Sequence, residues 1–422
     1  MSKAFVFKFG GASIKDASAL KNLVNILNNR LRNDLIIVIS AMGKTTNELE
    51  IILKKKISHE DFSSNITILK NRHLEICMEL FSVGHFIFPH LDNVFLRLER
   101  ALDGHKDVKD YDALYDEIVS YGEIIATKIV QEYLCEQKLY CLWQDAREVI
   151  ITDQNHRSAK VNWEETERNC KKILLPKLAK FPIITQGFIG RSNSGNTTTL
   201  GREGSDYTAA ILASCLNAAA VTIWKDVPGV LNADPKKFDD TILYSELDYH
   251  QAAEMTYYGA SVIHPKTIKP LANKGIPLWV KSFIEPDSHG TLITHSIFKP
   301  DIPTLIVKQE QILVTFRVTD FTFINGRHLQ MIYEHLNSLK LIVNLVQTSA
   351  ISISVCMDKD FFKLDKLLKA VKNDFQLKYN EGLELLTILN YNAGQVEHHE
   401  VEKTILLEQR TRNSYQIVYL VE

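Results

Sequence analysis

The 422-residue chain has no apolar run near the length of about 18 residues that a membrane-spanning helix needs, and no signal-like apolar stretch at its N-terminus. These absences argue against a membrane protein and for a soluble, cytoplasmic one. Neither sign of charge dominates: 49 Lys and Arg face 51 Asp and Glu, for a net charge of −2. Nothing in that balance supports nucleic-acid binding. The six cysteines (Cys77, Cys135, Cys141, Cys170, Cys215 and Cys356) include no CxxC pair and no metal-ligand spacing, so they read as buried or neutral thiols in a reducing compartment. No low-complexity tract, Ser-His-Asp set or metal-binding His cluster is present. What remains is a chain that is 45% hydrophobic and 24% charged, able to bury large cores and long enough for roughly two or three domains.

Apolar runs alternate with helical patterns up to about Thr294. They fall at residues 4–9 (AFVFKF), 35–40 (LIIVIS), 149–152 (VIIT), 181–188 (FPIITQGF), 219–224 (AAVTIW) and 276–283 (IPLWVKSF). Near-continuous hydrophobic strands separated by helices predict a mainly parallel sheet covered on both faces, a three-layer α/β/α arrangement. Residues 47–136 are long, charged and helix-favouring, and are expected as a helical insertion over one edge of that sheet. Residues 295–304 carry two prolines and read as a linker. Beyond them the order is strand (312–318), helix (326–339), two strands (341–347 and 351–357), a Lys-rich helix (364–373) and a further strand beginning at LELLTILN. That is a split βαβ pattern. The expected organisation is therefore a domain of residues 1–294, a linker at 295–304, and a smaller α+β domain at 305–422.

Four glycine-bearing or hydroxyl-rich segments follow strands of the first domain. In the first, Lys8, Phe9, Gly10 and Gly11 end the opening strand before an amphipathic stretch (13–31). A Gly-Gly turn into a helix offers free backbone N–H groups to an anion, and Lys8 adds a point charge, although such a turn is also simply tight. The second, SAMGKTTN from Ser40, puts hydroxyls at a strand's C-terminal end, where open α/β sheets bind ligands. The third, TLGREGSDYTAA (199–210), combines glycines for close approach, Arg202 as a fork for a carboxylate, and Asp206 opening an Ala-rich helix. The loop before it, residues 186–199, is rich in Gly, Ser, Asn and Thr, as a mobile site-closing loop would be. The fourth, KDVPGVLNADPK (225–236), ends a strand in charge and then turns twice.

Taken in order and spacing, KFGG, SAMGKTTN, TLGREGSDYTAA and KDVPGVLNADPK, with MTYYGASVIHPKTI (255–268) and the HGTLI ending, resemble the aspartokinases. The resemblance is close from Lys3 to about Ile293, and the C-terminal part more loosely resembles an ACT-type regulatory region. It implies the amino-acid kinase fold, transfer of the ATP γ-phosphoryl group to the β-carboxylate of L-aspartate, and Mg²⁺ held largely by phosphates and water, with no dedicated metal cage. By the family's pattern, Lys8, Gly10 and Gly11 hold the transferring phosphoryl group. Ser40 and Thr46 line the aspartate pocket, Glu123 meets the substrate ammonium, and Arg202 clamps a carboxylate. Asp206 orients Lys8 or binds the substrate amine. Phe9, Lys225, Asp226, Leu231, Lys236 and Ser261 fall on nucleotide-side positions.

Several positions depart from that pattern. Glu203 stands where Gly is common, placing a negative charge beside the Arg202 loop, with an outward direction open to it. Ser261 replaces a frequent Lys, leaving Lys225 or Lys266 to compensate. Asn344 replaces an Asp that often meets the effector amine, and the second ACT unit is stripped, with only residues 391–402 before ILLEQRTRNSYQIVYLV (405–421). Weak or absent feedback by lysine is expected, together with a homodimer through the ACT-like region. Two competing readings are another carboxylate or carbamate kinase, such as an acetylglutamate or glutamate kinase, and a catalytically silent amino-acid sensor that retains the fold. The pairing of SYGE (120–123) with GREGSD counts against the first, and retention of Lys8, Glu123, Arg202 and Asp206 against the second.

Overall fold

The computed structural model describes residues 3–104, 110–260, 263–297, 302–319, 322–391 and 403–421. The chain forms two compact units. The first comprises Met1–Val230, Leu243–Ala253 and Val262–Lys299; the second comprises Leu231–Ile242, Glu254–Ser261 and Pro300–Glu422.

In the first unit β1 (Phe5–Phe9), α1 (Ala17–Asn28) and β2 (Leu35–Ile39) are followed by four helices. These are α2 (Thr45–Ile57), α3 (Ser63–Leu80), α4 (Ile87–Gly104) and α5 (Tyr111–Glu136). Then come β3 (Leu142–Gln144), β4 (Ile151–Thr152), α6 (Trp163–Asn169), α7 (Leu175–Leu178), β5 (Ile183–Gln186), β6 (Ile189–Ser192) and β7 (Thr197–Thr199). α8 (Gly204–Leu216), β8 (Ala220–Lys225), β9 (Glu246–Asp248), α9 (Tyr249–Tyr258, counted with the second unit from Glu254 on), α10 (Pro265–Ala272), β10 (Leu278–Ser282) and β11 (Thr291–Thr294) complete the run. The main sheet has the order β3-β5-β2-β1-β8-β10-β11-β9, parallel except where β10 meets β11. β2 is LIIVI with every residue buried, the signature of a strand covered on both faces. Because β1, β2, β5 and β8 run parallel, their C-terminal ends lie along one edge, where Gly10, Ser40, Gly187 and Lys225 follow or end them.

Three expectations change. Residues 149–152 do not join the main sheet: only Ile151 and Thr152 are strand, and they pair with β6 in a separate sheet of order β4-β6-β7. Residues 186–199 are not an irregular loop, because β6 and β7 form an antiparallel hairpin within them. The Gly-Gly turn enters a short 3₁₀ turn, Gly11–Ile14, rather than the helix itself, which begins at Ala17 where the Asp16 side chain accepts from the Ala19 N–H at 2.8 Å. Among the described residues no helix is long and apolar enough to cross a membrane.

In the second unit β12 (Thr304–Val318), α11 (Gly326–Ser338), β13 (Val343–Thr348), β14 (Ser352–Asp358), α12 (Phe361–Val371) and β15 (Phe375–Leu389) follow the expected split βαβ order. The C-terminal segment is a hairpin of β16 (Ile405–Arg410) and β17 (Ser414–Leu420). All six strands make one antiparallel sheet, β13-β14-β12-β15-β17-β16. Residues 392–402, the short stretch before the last hairpin, lie outside the described residues, as do residues 298–301 of the expected linker.

Candidate functional site

The parallel edge of the first unit carries a cavity of about 630 Å³. Two interlocked turns form its floor. A Cβ on Gly11 would stand 2.8 Å from the Ala41 carbonyl oxygen and 2.9 Å from that of Gly43, and the Gly43 N–H donates to the Gly11 carbonyl at 3.1 Å. Only glycine lets the turn after β1 pack this closely on the turn after β2. A second close approach, Gly187 against Ser205, seats the start of α8 on the end of β5.

These contacts place Asp206 between two ammonium groups. Lys8 Nζ lies 2.6 Å from Asp206 Oδ1 and Lys225 Nζ 3.4 Å from Oδ2, with Asp206 almost fully buried and Lys8 8% exposed. Burial would raise the Asp206 carboxyl, but Lys8 and Lys225 outweigh it and hold the group below the usual carboxylate range. The Lys8 ammonium also faces Gly10, whose Cβ position is 3.3 Å away.

Glu123 enters from α5. Its Oε1 accepts from the Ala41 N–H at 3.3 Å, while Oε2 is buried with no hydrogen-bond partner. Burial pushes this carboxyl up to about 8, against the lowering pull of backbone hydrogen bonds and Lys8. An acid so buried and half-satisfied is suited to receive a cation. Ser40, Thr46 and Arg202 line the same cavity, and Arg202 is exposed with no hydrogen bond or ion pair among the described residues.

The structure thus brings Lys8, Gly11, Ser40, Thr46, Glu123, Arg202, Asp206 and Lys225 to one cavity. Phe9, expected at the nucleotide side, instead turns its ring into the core, stacked on Trp224 at 5.9 Å, so that only its backbone borders the turn. Asp226 is exposed and does not line the cavity. Leu231 and Lys236 belong to the second unit, and Ser261 lies outside the described residues. Glu203 does not point outward: it lines the cavity at the N-cap of α8 with φ +53°, and its Oε2 is buried without a hydrogen-bond partner. Burial raises its carboxyl, opposed by Lys225.

Other groups at the site escape the motifs. Phe188 lines the cavity at φ +69°, a backbone state unusual for an aromatic residue and often retained at functional positions. Tyr115 donates to Glu50 at 2.5 Å, and the Arg157 guanidinium lies 4.4 Å from the Tyr115 ring; all three residues line the cavity. Asp116, fully buried on α5, accepts from the Thr199 hydroxyl at 2.6 Å, from the Thr199 and Arg157 N–H groups at 3.0 Å, and from His156 Nδ1 at 2.9 Å. It pins the β6–β7 hairpin to α5. Among the described residues no group of three or more His, Cys, Asp or Glu side chains is arranged to hold a metal ion.

Comparison with known proteins identifies the family. Residues 3–282 match the amino acid kinase family. The chain is 31% identical to lysine-sensitive aspartokinase 3 of Escherichia coli over 94% of its own length and 89% of that protein. It is 30% identical to the chloroplastic aspartokinase 1 of Arabidopsis thaliana, over 93% and 71%. The crystal structure of E. coli aspartokinase III with aspartate and ADP superposes with a TM-score of 0.85 at 27% identity, covering 99% of this chain and 96% of that one.

Proposed function

The chain belongs to the amino acid kinase family and is an aspartate kinase, an ATP-dependent phosphotransferase, and from that premise we propose how its own residues carry the reaction. The substrate is L-aspartate and the product 4-phospho-L-aspartate, the entry to lysine, threonine and methionine biosynthesis. The carrying observation is the buried Lys8–Asp206–Lys225 array facing Glu123 across one cavity.

A carboxylate nucleophile is already ionised at neutral pH, so no general base is required, and positioning with charge neutralisation supplies the rate. Lys8 meets the charge developing on the transferring phosphoryl group, with Asp206 fixing its position and Lys225 on the nucleotide side. Gly10 and Gly11 let the phosphates approach the backbone. Arg202 clamps a substrate carboxylate, Ser40 and Thr46 line the pocket, and Glu123 Oε2 receives the ammonium. The nucleotide-side role extends by resemblance to the Phe9 backbone, Asp226, Leu231, Lys236 and Ser261. Magnesium, when bound, would neutralise phosphate charge; Asp206 is committed to two lysines, so the phosphates and water would hold the ion, with the unpartnered Glu203 Oε2 suited to accept from a water of its shell. A cytoplasmic homodimer assembled through residues 305–422 completes the proposal.

Glu123 gives this reading a pH signature. An ammonium beside Oε2 favours the ionised carboxylate, so the free pocket, holding a proton up to about pH 8, releases it on binding. KM for aspartate is expected to fall as pH rises from about 6 to 8, by up to about tenfold per unit, and Glu123→Gln to flatten the profile while raising KM. Coupled ADP release across pH reads both, and a wild-type KM independent of pH would remove Glu123 from the ammonium. Without substrate the sign reverses for stability: a Glu that ionises near 4.5 when unfolded but near 8 when folded costs stability as pH rises through that window.

Weak or absent feedback by lysine is the proposed regulatory state. Asn344 is fully engaged within its own unit: Oδ1 accepts from Lys308 Nζ at 2.7 Å, and Nδ2 donates to Gln311 Oε1 at 2.6 Å and Asp358 Oδ1 at 2.7 Å. A lysine titration of aspartate-dependent turnover is expected to be nearly flat, and strong inhibition would overturn the proposal.

A further inference from the structure

We propose that the first unit holds a second ligand site, on the side of α5 away from the catalytic cavity, for a small organic anion with an apolar body. The site is a cavity of about 660 Å³ that shares no lining residue with the catalytic one. Helix periodicity creates the separation. At about 100° per residue, Glu117, Tyr121, Ile124 and Lys128 form one stripe of α5 and line this cavity, roughly half a turn round the helix from Tyr115 and Glu123. The same spacing on α4 brings His90, Val94 and Arg97 to it.

The acids of this cavity are already committed. Asp145 holds Arg147, accepting from Nη2 at 2.7 Å and from Nε at 3.0 Å. Asp110 caps α5 by accepting from the Ala113 N–H at 3.1 Å, and Glu117 also has a partner. The cations are not committed. Among the described residues neither Arg97 nor Lys128 has a carboxylate within ion-pair distance, and His90 Nε2 is buried with no hydrogen-bond partner. Burial, with the charges of Lys128 and Arg97, disfavours the His90 imidazolium, and burial lowers the Lys128 ammonium from its ordinary value. An anion placed here relieves that excess of positive charge.

The walls are fixed in place. Lys128 Nζ lies 3.7 Å from the centroid of the Trp143 ring, and that indole is held by donating from Nε1 to Thr127 Oγ1 at 3.1 Å. Arg147 Nη1 donates to Thr197 Oγ1 at 3.3 Å, which fastens the β6–β7 hairpin as a further wall. Val94, Leu114 and Ile124 add apolar surface. The ligand so selected carries one acidic head for Arg97, Lys128 and His90, and an aromatic or branched apolar body against Trp143 and the aliphatic side chains. Carboxylate and phosphate monoester heads share that chemistry.

Isothermal titration of the full chain, with ADP and aspartate saturating so that the catalytic cavity is filled, is expected to show one saturable site for benzoate or phenyl phosphate, and the tighter of the two identifies the head group. Neutral benzamide is expected to bind at least about tenfold more weakly than benzoate. Arg97→Gln, an exposed change, and Lys128→Gln should each weaken binding about tenfold while leaving aspartate-dependent turnover unchanged. Binding should also shift the tryptophan emission, and Trp143→Phe should remove that shift. Benzoate and benzamide that bind alike, an affinity untouched by both charge variants, or no saturable binding of either anion once ADP and aspartate are present overturns the proposal.

Discussion

Lys8→Ala is expected to lower kcat by about 10³-fold or more while leaving the fold intact, because the lost ammonium acts where negative charge develops and water is largely excluded. The side chain is not a surface lysine that solvent could replace. It is the penultimate residue of strand β1, is nearly buried, and is held at 2.6 Å by Asp206, which is itself anchored at the first turn of α8. Lys8→Arg is expected to recover little, since the nearly buried seat against Asp206 is fitted to a compact ammonium and a planar guanidinium places its donors differently. Coupled ADP release with saturating aspartate and ATP measures the effect, with thermal unfolding as the control. Near-wild-type turnover in Lys8→Ala would transfer the transition-state role to Lys225 or Arg202.

The parts of this site that were legible in the amino-acid order are those in which local chemistry and chain position coincide. β2 and the KFGG turn could be read because a fully apolar run has one use in a parallel sheet and a glycine pair ends it. VIIT misled because four apolar residues suit any buried extended segment, and only pairing with β6 decides which sheet takes Ile151 and Thr152. The β6–β7 hairpin was hidden by its Gly, Ser and Asn content. Its order derives from bonds between Thr199 and Asp116, 83 residues apart, which no local pattern reveals. Phe188 and the Tyr115–Glu50–Arg157 group escape the motifs for the same reason: each is an ordinary residue that only the fold brings to the cavity. Glu203 shows the reverse case, a departure visible in the chain whose direction the left-handed N-cap decided.

Asp206 has two roles consistent with its position in the chain, orienting Lys8 or binding the substrate amine, and the geometry favours the first. Both of its oxygens are engaged by ammonium groups, whereas Glu123 Oε2 is vacant. Asp206→Asn should therefore lower kcat by about 10²-fold or more with little change in KM for aspartate, because the neutral amide keeps the shape but no longer holds Lys8 in line. Asp206→Ala should in addition cost about 3–5 kcal/mol of stability in urea unfolding, since it leaves two neighbouring cations without their counter-charge in a buried site. The linkage runs the same way. A carboxyl held below its ordinary value contributes stability above pH 3.8 and loses it as pH falls through its folded-state value, so the wild-type chain should lose more stability on acidification than Asp206→Asn. A variant that raised KM with kcat preserved would instead place the substrate amine on Asp206, and would leave the vacant oxygen of Glu123 without its proposed partner.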